Sequence, residues 1–239
     1  MDFFNEYTKN YDMSIPHISY KYYHSIRVMD NMELLAKNLH LPYCDIELAK
    51  CIGLLHDIGR FEQFKRFRSY SDKFLDHGDF GSNLLKELDA LKNYKISPDD
   101  YDVVYKAIRN HNKFAIESNL NERETLFSKM IRDADKLDIF YALGDNKLKE
   151  IVYEDNSEIS KHVDDDFFSN KLVKKQNNET VNDNIICLLS FIFDLNFDIS
   201  LYIIKKYNYH YKIYERLNNK EKFKKYIEHI DKYLEKRNA

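Results

Sequence analysis

The apolar residues of this chain recur with the period of an α-helix. Residues 17–40 carry an apolar stripe on which His24 also lies, and Leu41-Pro42 ends the segment. A second helix is predicted to begin at an N-cap, Asp45, and to end near Gly59. The core stripe of this second helix consists of Leu48, Ile52 and Leu55.

The next two helices are marked by their starting residues. Residues 60–76 predict a connecting loop or a short irregular helix, after which His77 heads the apolar stripe of a third helix. Residues 97–100, Ser-Pro-Asp-Asp, are a typical helix start, with a cap, a first-turn proline and carboxylates at the positive end of the dipole. This fourth helix carries His111 at the end of its buried stripe.

A fifth helix is predicted over roughly residues 121–140, with Asp135 on its buried side. The periodicity weakens after about Gly144, and the polar residues 155–183 predict a flexible connection or a lid. Helical periodicity then returns and continues to a final amphipathic helix near residues 219–236, whose charges we interpret as a solvated face.

The composition supports a helical protein. Five glycines and three prolines in 239 residues disfavour a turn-rich β fold and favour long helices. A chain of this length suits one large domain, or one domain with an extension. We therefore predict an all-α fold, with a helical bundle over residues 1–144. Residues 145–239 are predicted to form a helical extension that packs on the same core or caps a functional site.

Charge and cysteine usage exclude several functions. The 37 basic and 40 acidic residues nearly balance, so binding to a nucleic-acid polymer is not expected. The three cysteines form no CxxC pair, which favours a reducing cytoplasm. No secretory signal is evident, and no apolar run approaches the roughly 20 residues needed to span a bilayer. The sequence leaves open whether the protein forms a homodimer.

The candidate chemistry centres on a polar pair at the end of an apolar run. Ile52-Gly53-Leu54-Leu55 is followed directly by His56-Asp57. Burying such a pair is unfavourable unless its charge is compensated, most simply by a metal ion. Further groups that are typical metal ligands occur on other predicted helices, namely His24, His77, His111 and Asp135.

Each of these residues also has a simpler interpretation. A single histidine on an apolar face is more often a hydrogen-bonded core residue, and a single aspartate is more often a helix cap or an ion-pair partner. However, four of the nine histidines lie on or at the ends of buried stripes of four helices. A shared metal centre explains this coincidence better than four independent core residues.

The ligand types narrow the choice of metal. Imidazole and carboxylate groups without thiolates suit Fe, Mn, Zn, Ni or Co, and Mg also stays open. Four of the six groups would fill most of one coordination sphere, and the others would begin a second, with Asp57 bridging the two ions. Whether one or two ions bind stays open. Two ions about 3.5–4 Å apart would hold a hydroxide, lower its pKa and bind a phosphoryl oxygen for in-line attack.

His24, the His56-Asp57 doublet and Asp135, in this order along the chain, resemble the motifs of the HD superfamily of metal-dependent phosphohydrolases. The superfamily is named for its His-Asp doublet. The resemblance covers roughly residues 17–142 and implies an all-helical fold and hydrolysis of phosphate esters or anhydrides, often of nucleotides. It implies a first metal held by His24, His56, Asp57 and Asp135. It implies a second metal held by Asp57, His77 and His111. The stretches that carry it are His24, residues 54–60 (LLHDIGR), Asp76-His77-Gly78 through Leu85, residues 108–112 (IRNHN) and residues 133–138 (DADKLD).

Two branches of the superfamily fit less well than the general pattern. The two additional histidines, His77 and His111, resemble those of the branches that bind two metals, which include diadenosine-tetraphosphate hydrolases and cyclic-dinucleotide phosphodiesterases. The latter usually carry a Gly-Tyr-Pro signature, which this chain lacks. The acidic pair of the alarmone hydrolases is replaced by residues 59–62 (GRFE). These differences lower the expectation for those substrates and leave the reaction class unchanged.

Substrate phosphates require cations beyond the metals. We assign catalytic roles to Asp57 and to three cations close to the motifs, Arg27, Arg60 and Lys136, although an ion pair is the alternative for each. Residues 60–70 mix cations with aromatic rings and are expected to stack a base, with ordinary packing as the alternative. The candidates for orienting the ligand imidazoles are Asp76, Asp79 and Asp138.

The functional prediction is a hydrolase. We expect a metal-dependent phosphohydrolase that cleaves a phosphate ester or anhydride of a small metabolite, specifically a nucleotide, by attack of a metal-bound hydroxide. The alternative is a noncatalytic metal-containing module that senses a nucleotide. Because none of the six ligand positions is missing, the enzyme is favoured.

Overall fold

A computed structural model of the chain describes residues 2–145, 155–175 and 178–237, and these residues contain helices and no strand. The predicted all-α fold, with helices continuing to the C-terminal end, is therefore confirmed. The backbone forms two compact units, Met1–Asp135 and Lys136–Ala239, which divide inside one long helix. The domain limits at residue 144, and the role of the extension, stay predictions.

The helices of the first unit are separated by short connections. The last of them, α7, continues into the second unit. Their bounds are α1 Asp2–Thr8, α2 Pro16–Asn38, α3 Tyr43–Leu55, α4 Ile58–Phe67, α5 His77–Glu87, α6 Tyr101–Asn110 and α7 Glu122–Gly144.

The core of the first unit forms where α2 packs along α3. The predicted stripe of α3 is fully buried, whereas that of α2 is buried in its middle and only partly buried at Tyr20 and Leu39. This packing removes large apolar side chains from water. Gly53 of α3 allows close contact, because a Cβ there would lie 2.7 Å from the Met29 Cα of α2. This packing brings His24 of α2 beside the end of α3, where His56 follows.

Two predicted helix ends are wrong. α3 begins at Tyr43 with Pro42 in the N-cap position, whereas Asp45 lies in the first turn and pairs with Arg123 at 2.8 Å. Pro42 has the extended backbone of an N-cap residue, and it makes no side-chain cap hydrogen bond. The same helix ends at Leu55, earlier than the predicted end near residue 59.

Gly59 lies inside α4 and serves packing. A Cβ on this residue would lie 2.6 Å from the backbone oxygen of His77 and 3.0 Å from the backbone nitrogen of Gly81, both in α5. The missing side chain therefore lets α4 and α5 approach closely. This contact, and not a helix end, explains why a glycine stands at this position. The approach places His77 next to the turn that carries Asp57.

The predicted connection over residues 60–76 consists of most of α4 followed by a loop of residues 68–76. α5 then begins at His77, as predicted, and the Asp76 carboxylate caps it by accepting hydrogen bonds from the backbone N–H groups of Gly78 and Asp79. The predicted cap Ser97 accepts a hydrogen bond from the Asp99 N–H, ahead of α6. The Asp76 cap holds the start of α5, where His77 is the first residue.

The second unit has its own apolar core, which includes the fully buried Phe167, Phe223 and Tyr226. The predicted flexible connection over residues 155–183 contains a helix, α8, although residues 176 and 177 lie outside the described part of the chain. Across the described residues, no helix is long and apolar enough to cross a bilayer. The bounds are α8 Lys161–Phe168, α9 Val181–Leu189, α10 Asp198–Lys206, α11 Tyr209–Glu215 and α12 Lys220–Lys236.

Candidate metal centre

The six predicted ligands converge within the first unit. They come from α2, from the turn between α3 and α4, from the first residue of α5, from the end of α6 and from α7. Five of the side chains are buried, and that of Asp135 is 20% exposed. Six polar groups from five elements therefore lie together in a protein interior, where each requires a partner. They are His24, His56, Asp57, His77, His111 and Asp135.

Four of these residues form the first ligand group, which consists of His24, His56, Asp57 and Asp135. Nε2 of His24 lies 3.2 Å from both Nε2 of His56 and Oδ1 of Asp135. Oδ2 of Asp57 lies 3.4 Å from Nε2 of His24 and 3.5 Å from Nε2 of His56. These spacings suit donor atoms that share one metal ion.

The second ligand group consists of Asp57, His77 and His111. Nε2 of His77 lies 3.0 Å from Nε2 of His111. Oδ1 of Asp57 lies 3.4 Å from the first of these nitrogens and 3.5 Å from the second. Asp57 thus presents Oδ2 to one group and Oδ1 to the other, the arrangement expected of a bridging carboxylate.

The proton positions on three imidazoles fit metal binding. Nδ1 of His56 lies 2.8 Å from the Gly53 carbonyl oxygen, and Nδ1 of His111 lies 2.6 Å from that of Ile108. Nδ1 of His77 lies 2.7 Å from Oδ1 of Asp72. A carbonyl or carboxylate oxygen only accepts, so each Nδ1 carries the proton and each Nε2 has a free lone pair.

This tautomer leaves two lone pairs facing each other between His77 and His111. At 3.0 Å, two unprotonated nitrogens repel unless a cation lies between them or close by. A divalent metal ion removes this repulsion and uses both lone pairs as ligands. The donor set therefore fits a metal centre, and we infer this from the orientation of the rings.

Burial and charge keep the ligands in their metal-binding protonation states. Burial lowers the pKa of His56 and that of His77, the latter to about 3, so both rings are neutral. Burial would raise the pKa of Asp57, but the positive charge of Lys21 outweighs burial and holds that pKa well below its usual range. Burial also opposes ionisation of Asp135, but its contact with His24 outweighs burial and lowers the pKa.

A family model of the HD domain matches residues 22–139. The chain is an HD-domain protein. The superfamily consists generally of metal-dependent phosphohydrolases, and its domains bind divalent metals. No curated protein and no solved structure gives a significant match. The matched residues contain all six members of the two ligand groups.

Two predicted substrate-binding cations of the HD domain lie close to the ligands. The Arg27 guanidinium lies 5.7 Å from the centre of the Tyr20 ring, which stacks on His24. Nε of Arg60 lies 3.6 Å from Oδ1 of Asp57. Nη1 of Arg60 donates to Tyr70 O at 2.7 Å, so part of this guanidinium is already used inside the protein. Their roles toward a substrate stay predictions.

Lys136, the third predicted cation, is buried in the second unit. Its ammonium lies 2.9 Å from Oδ2 of Asp194 and 5.7 Å from the centre of the Phe191 ring. This is the interhelical ion pair that the sequence left as the alternative to a phosphate contact. Its catalytic assignment stays a prediction.

Two of the three predicted orienting carboxylates have other partners. Asp76 caps α5 and pairs with Lys113 at 2.7 Å, and Asp79 pairs with Lys113 at 2.7 Å and Arg109 at 2.8 Å. Asp138 lies in the second unit. The carboxylate that orients His77 is Asp72, which lies in a loop where the sequence offers no periodic signal.

Lys21 was also missed. Its ammonium lies 2.6 Å from Oδ2 of Asp57. The same ammonium lies over two tyrosine rings, 6.0 Å from the centre of the Tyr20 ring and 5.7 Å from that of Tyr70. Lys21 precedes His24 by three residues and so shares its helix face, a spacing that was available in the sequence.

Proposed function

We propose that this HD-domain protein is a hydrolase that cleaves a phosphate ester or anhydride of a small metabolite, and specifically of a nucleotide. One observation carries the proposal. The Asp57 carboxylate presents one oxygen to each of two sets of imidazole nitrogens whose lone pairs point toward shared spaces. This donor arrangement supports a two-ion phosphohydrolase more directly than any other chemistry of the described residues.

In this proposal the first ligand group holds one ion and the second group holds another, from among Fe, Mn, Zn, Ni, Co and Mg. When bound, such ions lower the pKa of a coordinated water and polarise a phosphoryl oxygen. The chain contributes fixed orientation, because carbonyl and carboxylate acceptors hold the rings of His56, His77 and His111. Fixed ligands reduce the reorganisation that binding and reaction require.

Cations and aromatic rings beside the ligands support a substrate that carries both a negatively charged phosphate and a nucleobase. Lys21 and Arg27 both lie over the Tyr20 ring, and Lys21 also lies near Tyr70. Positive charge favours phosphate oxygens, and aromatic faces suit nucleobases. We therefore propose a nucleotide as the substrate, with Arg60 contributing positive charge next to Asp57.

The experiment is a survey of the purified protein, loaded with Mn²⁺ or Fe²⁺, against nucleoside mono-, di- and triphosphates, dinucleotides and simple phosphate esters. We expect phosphate or nucleotide release with at least one class and no release by the Asp57→Ala variant. Asp79→Asn is the control, since Asp79 contacts surface cations and no ligand. Metal and nucleotide binding without turnover of any compound would contradict hydrolysis and favour a sensing module.

A further inference from the structure

The second ligand group differs from the first in how one ring is held. His56 and His111 each donate from Nδ1 to the carbonyl oxygen three residues earlier, in the helix that each one follows. His77 is the first residue of α5, so no helical turn precedes it. Its Nδ1 instead lies against Asp72, in the loop of residues 68–76.

This loop is fixed to α4 by one buried amide. Nε2 of Gln63, which is fully buried, lies 3.3 Å from Ser71 O, 3.2 Å from Oδ1 of Asp72 and 2.7 Å from Leu75 O. Its Oε1 accepts from Nη1 of Arg60 at 2.8 Å. A single glutamine side chain therefore joins three points of the loop to the helix.

Arg60 completes the network. Its Nη1 lies 3.2 Å from the same Asp72 oxygen that accepts from His77, and its Nε lies 3.6 Å from Oδ1 of Asp57. The Asp72 side chain is 40% exposed, whereas that of His77 is 2% exposed. The network thus connects a partly exposed loop carboxylate to a buried ligand ring and to the bridging aspartate.

The consequence for the two ligand groups is unequal. Every member of the first group is held by helices or by the turn between α3 and α4. In the second group, the direction of the His77 lone pair depends on the loop, because the carboxylate that accepts from its Nδ1 at 2.7 Å belongs to Asp72. The side-chain nitrogen of Asn112 also lies 3.3 Å from this Nδ1, but an amide nitrogen does not accept a proton. A carboxylate acceptor also increases the electron density on the opposite ring nitrogen.

We propose that Asp72, held by Gln63 and Arg60, is the positioning residue that sets the affinity of the second ligand group for its metal ion. Because Arg60 contacts Asp57 at Oδ1, the oxygen that faces the second group, the first ligand group binds its ion independently of Asp72. The inference rests on the proposed metal centre and extends it, since it assigns separate control to the second ion. The loop of residues 68–76 then determines whether the centre holds one ion or two.

The experiment measures Mn²⁺ binding by calorimetry and by electron paramagnetic resonance, which distinguishes a coupled ion pair from an isolated ion. We expect the wild-type protein to bind two coupled ions. Asp72→Ala is expected to bind the first ion with unchanged affinity and the second about 10- to 100-fold more weakly, the usual effect of removing an orienting partner. The isolated-ion signal then replaces the coupled one.

Two further variants separate orientation from charge and from general disruption. Asp72→Asn keeps an oxygen acceptor, so we expect a smaller loss than in Asp72→Ala. Gln63→Leu releases the loop and is expected to weaken the second ion without an additive effect when combined with Asp72→Ala. Asp79→Asn is the matched control, because Asp79 lies two residues after His77, pairs with Arg109 and touches no ligand ring. It is expected to bind both ions like the wild type.

Three results would overturn the inference: unchanged second-ion affinity in Asp72→Ala, equal loss of both ions in correctly folded Asp72→Asn and Asp72→Ala, or a wild-type protein that binds one ion. Far-ultraviolet circular dichroism establishes folding of each variant. Failure here is distinguishable from failure of the proposed hydrolysis. If the protein hydrolyses a substrate with one bound ion, only the inference about the second ion is rejected. If it binds two ions but hydrolyses no substrate, only the proposed hydrolase function is rejected.

Discussion

Three histidine rings in the candidate metal centre carry their proton on Nδ1, the nitrogen that faces away from the other ligands. The acceptors that impose this are Gly53 O, Ile108 O and Asp72 Oδ1. At residue scale, this detail separates a metal centre from a set of buried histidines that merely satisfy one another. A core cluster would place a proton between neighbouring nitrogens.

Replacement of the bridging residue is expected to affect both ions. Asp57→Asn removes the negative charge shared by the two ligand groups, so the content of both ions falls by at least about tenfold, while His24→Gln weakens chiefly the first. Inductively coupled plasma mass spectrometry of dialysed protein measures this. Full retention of two ions in Asp57→Asn would contradict the bridging assignment.

A histidine outside the site gives a pH prediction. His210 is buried, with Nε2 at 2.9 Å from Oδ1 of Asp231, and among the described residues its Nδ1 has no hydrogen-bond partner. Burial lowers its pKa, against the opposing effect of Asp231. Below about pH 6.5, the ordinary value for histidine, the unfolded chain binds a proton that the folded protein does not, so stability falls on acidification.

The measurement is the free energy of unfolding between pH 7 and pH 5 for the wild type and His210→Gln, whose side-chain amide keeps a donor for Asp231. The variant removes one titrating group, and its stability is expected to decrease less steeply as the pH falls. Equal slopes for the two proteins would contradict the assignment of a neutral, buried His210.

At the scale of elements, the sequence predicts features that follow a periodic pattern and misses single contacts that depend on the tertiary structure. Helical periodicity indicates most of the longer helices, and the ordered motifs select six polar residues that the structure brings together. Two residues led to wrong helix ends. An aspartate near a helix start can be an N-cap or, like Asp45, a first-turn partner of an ion pair. A glycine can end a helix or, like Gly59, allow close contact between two helices. Asp72 lies in a loop whose path depends on the buried amide of Gln63, which no local pattern indicates.

The contact between α4 and α5 gives a prediction at this scale. Gly59→Ala would place a Cβ 2.6 Å from the His77 backbone oxygen, and backbone cannot move aside as a side-chain end does. We expect destabilisation by about 1–3 kcal/mol and weaker binding of the second ion, since α5 carries His77. Denaturant unfolding and calorimetry measure the two effects.

Gly144→Ala is the control for this variant. Its Cβ would lie 3.1 Å from the Cβ of Lys212, so that the neighbour needs to give by only a few tenths of an ångström, whereas the Gly59 contact is a backbone contact at 2.6 Å. We expect a change in the free energy of unfolding of less than about 1 kcal/mol and unchanged metal binding. Equal effects of the two substitutions would contradict the packing role of Gly59.

At the scale of the whole molecule, the ligand set links metal binding to folding. The ligands come from distant points of the first unit and meet only in the folded chain, so ions that bind there stabilise the folded state. At a free metal concentration of 100 times the dissociation constant, the gain is about 2.7 kcal/mol per site. The second unit has its own core, and its role as a cap or an extension stays a prediction.

Removal of metal gives the corresponding prediction. Treatment with a chelator is expected to lower the melting temperature, and re-addition of Mn²⁺ is expected to restore it, because only the folded chain gathers the ligands. The Asp57→Ala variant is expected to show neither change. A chelator effect of equal size in that variant would place the stabilising metal elsewhere.

The most direct measurement is a crystal structure of the Mn²⁺-loaded protein with anomalous diffraction data collected at the metal absorption edge. The account predicts two anomalous peaks about 3.5–4 Å apart, one on each side of the Asp57 carboxylate, with His24 and His56 at the first and His77 and His111 at the second. Loaded crystals with no peak beside Asp57 would contradict it.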